Sequence, residues 1–507
     1  MISDLIGSVS VLLPRETGSR TTGGARGDSV EHQVRRRSAD DAPASARLRP
    51  PTGGSHVDVA VGDAPEHHVR FTSGGIFYAE GMVEDRWAAR YWSGDGRIPF
   101  PYRFADSSAF ELRIKTNPKS AHSTQVSGGW KWVSSDEAPP TDRGARHSVV
   151  RLTNEHHPVD VEVHTLLDGT PVLTRWLKVT NTADHTIALT QVVPLAGPLW
   201  RAGGPYRLFY QILPGPRAIH PSYDWKTLNS GMNLVESTQG NGYDDPFFIV
   251  QNESRGEFFI GHLAWSANWS IEFHVGGGLS FNMGPRANDA LRVLGAGESI
   301  DSPATHLGYV LGDLDDTVQA MHAHIRRSVV PKLDPERARL VQINTPGDQD
   351  YYRGEDFNEE NVKHSIDVSA ALEAELFLLD CPWYDVYGEW VPSEHRFPNG
   401  LKPVVDYAHE KGMLFGIQTE VEGGRGNWET SRVAQEHPEW FGSNHVMRLE
   451  RDDAGSYMRD ELTRVVADYN ADMYRNEFIP DPLYTHEGTS TIRDGFIEND
   501  YWRYYDN

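Results

Sequence analysis

The feature that most constrains the fold is a change in the spacing of apolar residues near residue 338. From about residue 58 to 330, short alternating or β-branched runs such as VDVEVHTLL and WSIEFHV recur between clusters of Gly, Pro, Asn and Asp. These runs predict antiparallel strands packed as a large β-sandwich, since no long helical pattern interrupts them. One helix is predicted at the end of this region, in DDTVQAMHAHIRRSV.

Beyond residue 338 the pattern predicts strands in alternation with helices. The strands are predicted in ARLVQINT, LFLLD, MLFGIQTE and ADMYRNE, and the helices in NEENVKHSIDVSAALEA, GLKPVVDYAHEKG and RDELTRVVADY. Such alternation with short loops implies parallel strands joined by right-handed crossovers. It fits an open doubly wound sheet or a (β/α)8 barrel of the TIM type. Because no glycine-rich phosphate-binding motif follows a strand and polar residues end every strand, we favour the barrel.

The chain therefore divides into three predicted parts. Residues 1–57, rich in Arg, Ser, Ala, Pro and Gly, are expected to form a disordered tail. Residues 58–330 are expected to form the sandwich, and 338–507 the first half of the barrel. The last part has about 170 residues, whereas a complete barrel needs about 250. We expect either a fragment or a barrel that is completed elsewhere.

Composition narrows the class of protein. The net charge of −24 and the 38% of hydrophobic residues are typical of a soluble protein that repels nucleic acid. No apolar stretch is long enough to span a membrane, and the first thirteen residues lack the basic start of a secretory signal. Cys381 is the single cysteine, which excludes an intramolecular disulfide and favours a reducing compartment. We predict a cytoplasmic protein without a membrane or nucleic-acid partner.

Polar side chains end each predicted strand of the barrel: Asn344, Asp380, Glu420 and Glu477. Barrel enzymes place their active sites at this carboxyl-terminal rim. Acids grouped there indicate a glycosidase, in which one carboxyl group protonates the leaving oxygen and another attacks or activates water.

Aromatic residues in the rim loops have two interpretations. The four rings are Trp383, Tyr384, Trp390 and Trp428. They either form walls against the apolar faces of a sugar or pack in the core, and the sequence leaves both interpretations open. As candidates for substrate binding we take Trp383 and Trp390.

Spacing selects a candidate nucleophile. The rim acid Glu420 lies eight positions after the turn at Gly412, and Glu477 lies seven after the turn at Asn470. Asp472 lies only two positions after that turn, at the strand's entry and so at the opposite mouth of the barrel. We prefer Glu477 as the nucleophile, with Asp472 as the alternative.

Other chemistry has less support in the sequence. Arg475 shares a strand face with Glu477 and either keeps that carboxylate ionised or forms a structural ion pair with it. His409 and His437 lack the spacing of zinc ligands, and no neighbouring His would activate Cys381. We predict neither a metal nor a cofactor.

Several stretches resemble glycoside hydrolase family 36, the melibiase-type α-galactosidases. In the barrel region they are FLLDCPWYDVYGEW, RFPNGLKPVVDYAHEKGMLFGIQTEVE, HPEWF, MYRNEF and IENDYWRYYD; in the sandwich and linker they are FFIGHLAWSANW and AMHAHIRRSV. The resemblance implies a β-supersandwich followed by a (β/α)8 catalytic barrel. It also implies retaining hydrolysis of terminal α-galactosides through a glycosyl-enzyme intermediate.

The resemblance assigns roles to individual residues. It implies that Asp380 binds sugar hydroxyls after the second strand and that Trp383 is the tryptophan of the same loop. Glu420 matches the acid after the third strand. Arg475 fits the Arg of a Tyr-Arg-x-Asp pattern, which places Glu477 at the nucleophile position.

The sequence also departs from the family's pattern. The nucleophile is normally Asp, and Cys381 stands where many members have a second Asp for the galactose 4- and 6-hydroxyls. Val421 replaces a usual Pro and Gln418 a usual Trp. The family's acid/base comes from the sixth strand, beyond residue 507.

We therefore expect an α-galactosidase-like glycosidase that acts on an oligosaccharide or another α-galactoside. Because loss of an acid/base group costs roughly 10²–10⁴ in rate, residues 1–507 alone are expected to have little or no activity. The alternatives are a non-catalytic carbohydrate-binding pseudo-enzyme and a transglycosidase of the same family. A homo-oligomer is compatible with the exposed edges of a half barrel, but no interface is predicted.

Overall fold

The computed structural model describes residues 9–12, 57–62, 67–94, 107–213, 222–238, 244–331, 340–345, 356–380, 383–421, 428–442, 445–476 and 490–506. Cys381, Glu477 and most of the predicted tail lie outside these ranges. No helix in the described ranges is long and apolar enough to cross a membrane.

The strands of the first half of the chain are short and closely spaced. They are β1 (Val9–Leu12), β2 (Val57–Gly62), β3 (His68–Ser73), β4 (Ile76–Val83), β5 (Arg86–Ser93), β6 (Glu111–Lys115), β7 (Thr124–Gln125) and β8 (Trp130–Ala138). Next come β9 (Arg146–Asn154), β10 (Val159–Leu167), β11 (Val172–Asn181), β12 (Ile187–Val193), β13 (Leu195–Trp200), β14 (Tyr206–Leu213), β15 (Ser222–Thr227) and β16 (Gly231–Ser237). The series ends with β17 (Phe247–Asn252), β18 (Glu257–Leu263), β19 (Trp269–Val275), β20 (Leu279–Pro285), β21 (Arg292–Leu294), β22 (Ser299–Asp301) and β23 (Thr305–Leu311).

Strands β2 to β23 form antiparallel sheets that pack face to face. A ten-stranded sheet has the order β15-β14-β17-β18-β23-β11-β10-β9-β8, with β22 paired to β11. Three four-stranded sheets accompany it, ordered β21-β12-β6-β7, β13-β20-β19-β16 and β2-β3-β4-β5. Along β10, buried and half-buried residues alternate strictly, as expected for a strand with one face on the core. The apolar faces meet in one large core cluster.

A linker helix, α1 (Leu314–His324), leaves the sandwich. Asp313 and Asp316 close its first turn as a reciprocal capping box. A π-helical turn, Ile325–Val329, follows it directly.

Histidine side chains hold the end of α1 on the sandwich. His324 Nδ1 lies 2.8 Å from Asp168 Oδ2, and its Nε2 lies 2.8 Å from His306 Nδ1 on β23. Thr174 Oγ1 on β11 lies 3.1 Å from the same His306 nitrogen. Burial would raise the pKa of Asp168, but His324, Ser328 and Thr170 outweigh it and lower the pKa to about 2.

The region after the linker alternates strands and helices. Its elements are β24 (Gln342–Asn344), α2 (Glu359–Ala371), β25 (Leu376–Leu379), α3 (Lys402–Glu410), β26 (Leu414–Thr419), α4 (Arg432–Glu436), α5 (Asp452–Asp468) and β27 (Met473–Asn476). Strands β24, β25, β26 and β27 pair in this order and are parallel. Gly412 follows α3 with φ +82°, a conformation that favours glycine and ends the helix where the sequence predicts. Helices and sheet share a second apolar core.

The tail contains one strand that the sequence did not predict. Residues 9–12, placed in a disordered tail by composition, form β1, which pairs antiparallel with β27. The short β-branched run VSVL suits a strand, and the free edge of β27 offers it unpaired backbone groups. The prediction of disorder is therefore wrong for these four residues.

The last described residues also differ from the prediction, which assigned them to the barrel. Strands β28 (Ser490–Arg493) and β29 (Phe496–Asn499) form a hairpin, and α6 (Tyr501–Asp506) follows it. Trp502 packs in the sandwich core, and Phe496 packs against Ala290 and Val293 of the sandwich. The hairpin lies against the sandwich and buries these large apolar side chains there. The spacing of residues within the hairpin does not predict such a long-range contact.

The predicted fold class is confirmed: an antiparallel sandwich-like region precedes an α/β region consistent with part of a (β/α)8 barrel. The boundaries of the three predicted parts stay predictions.

Candidate active site

Alternation along the parallel strands gives the sheet two distinct faces. Leu376, Leu378 and Met473 form a small cluster on one face. Phe377 and Ile417 belong instead to the core shared with the helices. The first face is therefore the one turned away from the helices, which in a barrel is the interior.

Polar residues continue this interior face toward the carboxyl ends of the strands. Asp380 is two residues beyond Leu378, and Gln418 is paired in register with Arg475, two residues beyond Met473. Glu420 follows Gln418 by two positions. By the two-residue period of a strand, these side chains share one face and one end of the sheet.

Hydrogen bonds fix Asp380 at the end of β25. Asn344 Nδ2, at the end of β24, donates to Asp380 Oδ2 at 2.6 Å. The backbone N–H of Asp380 donates to Thr345 Oγ1 at 2.9 Å. Asn344 was predicted at this rim, whereas Thr345 was missed, since nothing in the sequence marks its hydroxyl as a support for Asp380.

Glu420 is nearly excluded from solvent, with 3% of its surface exposed. Tyr384 Oη, from the loop after β25, donates to Glu420 Oε2 at 2.9 Å. From the sequence we considered Tyr384 only as an aromatic ring and did not predict this hydrogen bond. The position of Tyr384 next to Trp383 was the only sequence signal for its role at the rim.

Trp383 ties its loop to the neighbouring strand. Its indole Nε1 donates to the carbonyl oxygen of Gln418 at 2.9 Å, and its ring is 0% exposed. The ring packs edge-on against Tyr384 and Tyr469. This contact makes Trp383 a support of the rim rather than an open wall for a sugar.

The interpretation of Trp390 as a substrate-binding wall is wrong in this structure. Trp390 is 0% exposed and packs edge-on against Trp428, which is 1% exposed. The carbonyl oxygen of Trp390 accepts a hydrogen bond from Tyr469 Oη at 2.9 Å, and burial raises the pKa of Tyr469. Both indoles fill the core between sheet and helices, which removes their faces from any ligand.

Asp472 lies at the other end of the sheet. It precedes β27, is buried, and its Oδ2 accepts from the backbone N–H of Phe415 at 3.0 Å, next to the start of β26. His409 Nε2 lies 2.7 Å from the same oxygen. These contacts engage Asp472 at the amino-terminal ends of the strands, which argues against it as the nucleophile.

The described side chains suit a polyhydroxylated ligand. Carboxylates accept hydrogen bonds from hydroxyl groups, while Asn, Gln and Arg supply donors. The part of the chain that the structure describes contains no group of three His, Cys, Asp or Glu side chains able to hold a metal ion.

Two family models match the chain. The model of the glycosyl hydrolase family 36 N-terminal domain matches residues 133–278, within the sandwich, and the melibiase model matches residues 299–473.

Curated relatives are α-galactosidases. Alpha-galactosidase 1 of Pediococcus pentosaceus is 27% identical over 294 residues, which cover 55% of this chain and 38% of that protein. Alpha-galactosidase Mel36A of Lactobacillus acidophilus is 25% identical over 373 residues, which cover 68% of this chain and 49% of that protein. The chain thus spans less than half the length of these two relatives.

A solved structure supports the same fold. The family 36 α-galactosidase AgaB of Geobacillus stearothermophilus superimposes with a TM-score of 0.70 at 17% identity, over 88% of this chain and 69% of that one. At this identity the likeness concerns the fold alone.

The chain thus combines a sandwich with parallel βα units that carry acids at the carboxyl ends of the strands. By its two family matches and its relatives, the chain is similar to the α-galactosidases of glycoside hydrolase family 36.

Proposed function

We propose that the protein carrying this chain hydrolyses terminal α-galactosides with retention of configuration. The observation that carries the proposal is the common face of Asp380, Gln418 and Arg475 at the carboxyl ends of parallel strands, with Glu420 just beyond. Active sites of barrel enzymes lie at this end. The names of the curated relatives support α-galactosides as the substrate class.

In this proposal each residue has a role that suits its position. Asp380, fixed by Asn344, accepts hydrogen bonds from sugar hydroxyls. Glu420, which follows the adjacent strand β26, also accepts hydrogen bonds from sugar hydroxyls. Glu477 attacks the anomeric carbon, and Arg475, two residues earlier in the sequence, keeps its carboxylate ionised. Trp383 holds the loop that borders the pocket.

The test combines a substrate assay with one substitution. The protein carrying this chain is expected to release p-nitrophenol from p-nitrophenyl-α-galactoside. In Glu477→Gln the amide cannot attack carbon, so turnover is expected to fall by at least about 10³-fold, while the side-chain size is kept.

Binding distinguishes chemistry from recognition. Glu477→Gln is expected to bind galactose about as well as the unsubstituted protein, measured by calorimetry. Turnover that survives the substitution contradicts the proposed nucleophile. Galactose binding without any turnover in the unsubstituted protein indicates a carbohydrate-binding protein instead.

A further inference from the structure

At the proposed sugar site, a buried hydrogen bond joins the loop after β25 to the residue that follows β26, the neighbouring strand. Tyr384 Oη donates to Glu420 Oε2 at 2.9 Å, and the two residues are only 1% and 3% exposed. Tyr384 belongs to the loop after β25, whereas Glu420 is the first residue after β26. The bond therefore crosses between strands and reaches the acid itself.

Packing fixes the phenol ring that makes this bond. Its ring lies edge-on to Trp383 and Tyr387, with ring centres 5.1 and 5.2 Å away. Arg396 Nη2 donates to the carbonyl oxygen of Tyr384 at 2.8 Å. The adjacent Trp383 is itself bonded to Gln418 O, two residues before Glu420. The loop thus meets the end of β26 at two successive points.

We propose that Tyr384 is a positioning residue that orients the Glu420 carboxylate for sugar binding. The inference rests on the proposed function of the site. A carboxylate turns about its terminal torsion with little hindrance, so a fixed donor on one oxygen selects one orientation of the other. In a site with little access to water, loss of that donor frees the carboxylate to turn away from the ligand.

The experiment is a double-mutant cycle read out by ligand binding. The Kd for 1-deoxygalactonojirimycin, a galactose-shaped iminosugar that is not hydrolysed, is measured by calorimetry. The proteins are the unsubstituted one, Tyr384→Phe, Glu420→Gln and the double variant. Tyr384→Phe keeps the ring and is expected to weaken binding about tenfold, as expected for loss of one hydrogen bond to a charged group. The double variant is expected to bind no worse than Glu420→Gln, because Tyr384 acts through Glu420.

Tyr407→Phe is the matched control. Tyr407 Oη on α3 donates to Asp367 Oδ1 of α2, also at 2.9 Å, on the helical side of the sheet. This variant loses the same kind of bond and is expected to keep its Kd within twofold. Melting curves of both variants report whether the fold is retained.

The outcomes separate the inference from the proposed function. Unchanged binding by Tyr384→Phe, or effects of Tyr384→Phe and Glu420→Gln that add in the double variant, overturns the positioning role while the proposed function stands. No binding by the unsubstituted protein overturns the proposed function and this inference with it.

Discussion

Two acids flank β27 in the sequence, and we propose different roles for them. Asp472 precedes the strand and is engaged by the backbone of Phe415 and by His409. Glu477 is two residues after Arg475 in the sequence and lies outside the described residues. We therefore propose a structural role for Asp472 and the role of nucleophile for Glu477.

Substitution of Asp472 tests this division. Asp472→Asn weakens a buried hydrogen bond to the Phe415 N–H, and such bonds to charged groups contribute about 1.5–3 kcal/mol. We expect the free energy of unfolding in urea to fall by about that amount, while kcat changes less than threefold. If Asp472→Asn instead loses turnover while its stability stays near normal, Asp472 is the catalytic acid and the proposed division of roles is wrong.

At the scale of elements, the junction between α1 and the sandwich is built on buried histidines. Burial first, and then the neighbouring His324 and His262, lower the pKa of His306 well below its ordinary value, against a smaller opposing effect of Asp168. Burial and His324 likewise lower the pKa of His262 to about 4. Both rings are thus held neutral in the fold.

The stability of the protein should therefore fall in mild acid. The unfolded chain takes up protons at the ordinary histidine pKa of 6.5, whereas folded His306 does not. The stabilisation is complete above pH 6.5 and is lost as the pH falls below it, at about 1.4 kcal/mol per unit of pKa difference. His306→Asn keeps a polar atom near the Nδ1 position and is expected to reduce this dependence.

Urea unfolding at pH 7.5, 6.0 and 5.0 measures the effect. The exposed His122→Asn serves as the control and is expected to follow the unsubstituted protein. Equal pH dependence in His306→Asn and the unsubstituted protein would mean that the buried histidine does not couple stability to pH.

The spacing of apolar residues predicted the helices and strands well, because the residues within each helix or strand largely determine it. The alternation in VDVEVHTLL gave β10, and the helical spacing in GLKPVVDYAHEKG with its stop at Gly412 gave α3. The pairing of β1 with β27 and the burial of Trp390 depend on residues far along the chain. The candidate site was predictable as strand-end acids, whereas the Tyr384–Glu420 bond required the packed loops.

At the scale of the whole molecule, residues 490–506 connect the sandwich to the βα region. Glu498, fully buried, accepts from the Val293 N–H of the sandwich at 2.7 Å and from Arg503 Nε at 2.9 Å. Arg448, just before α5, lies 3.9 Å from the buried Asp500. The segment therefore contacts both the sandwich and the loop before α5.

In the proposed mechanism, acids from successive parallel strands meet around one sugar, and Glu477 forms the covalent bond to it. The most direct measurement is labelling of the protein with an activated 2-deoxy-2-fluoro-α-galactoside, followed by peptide mass spectrometry. We expect one covalent fluorogalactosyl group on the Glu477 side chain. A label on Asp472 or on another residue, or none in a preparation that hydrolyses p-nitrophenyl-α-galactoside, would contradict it.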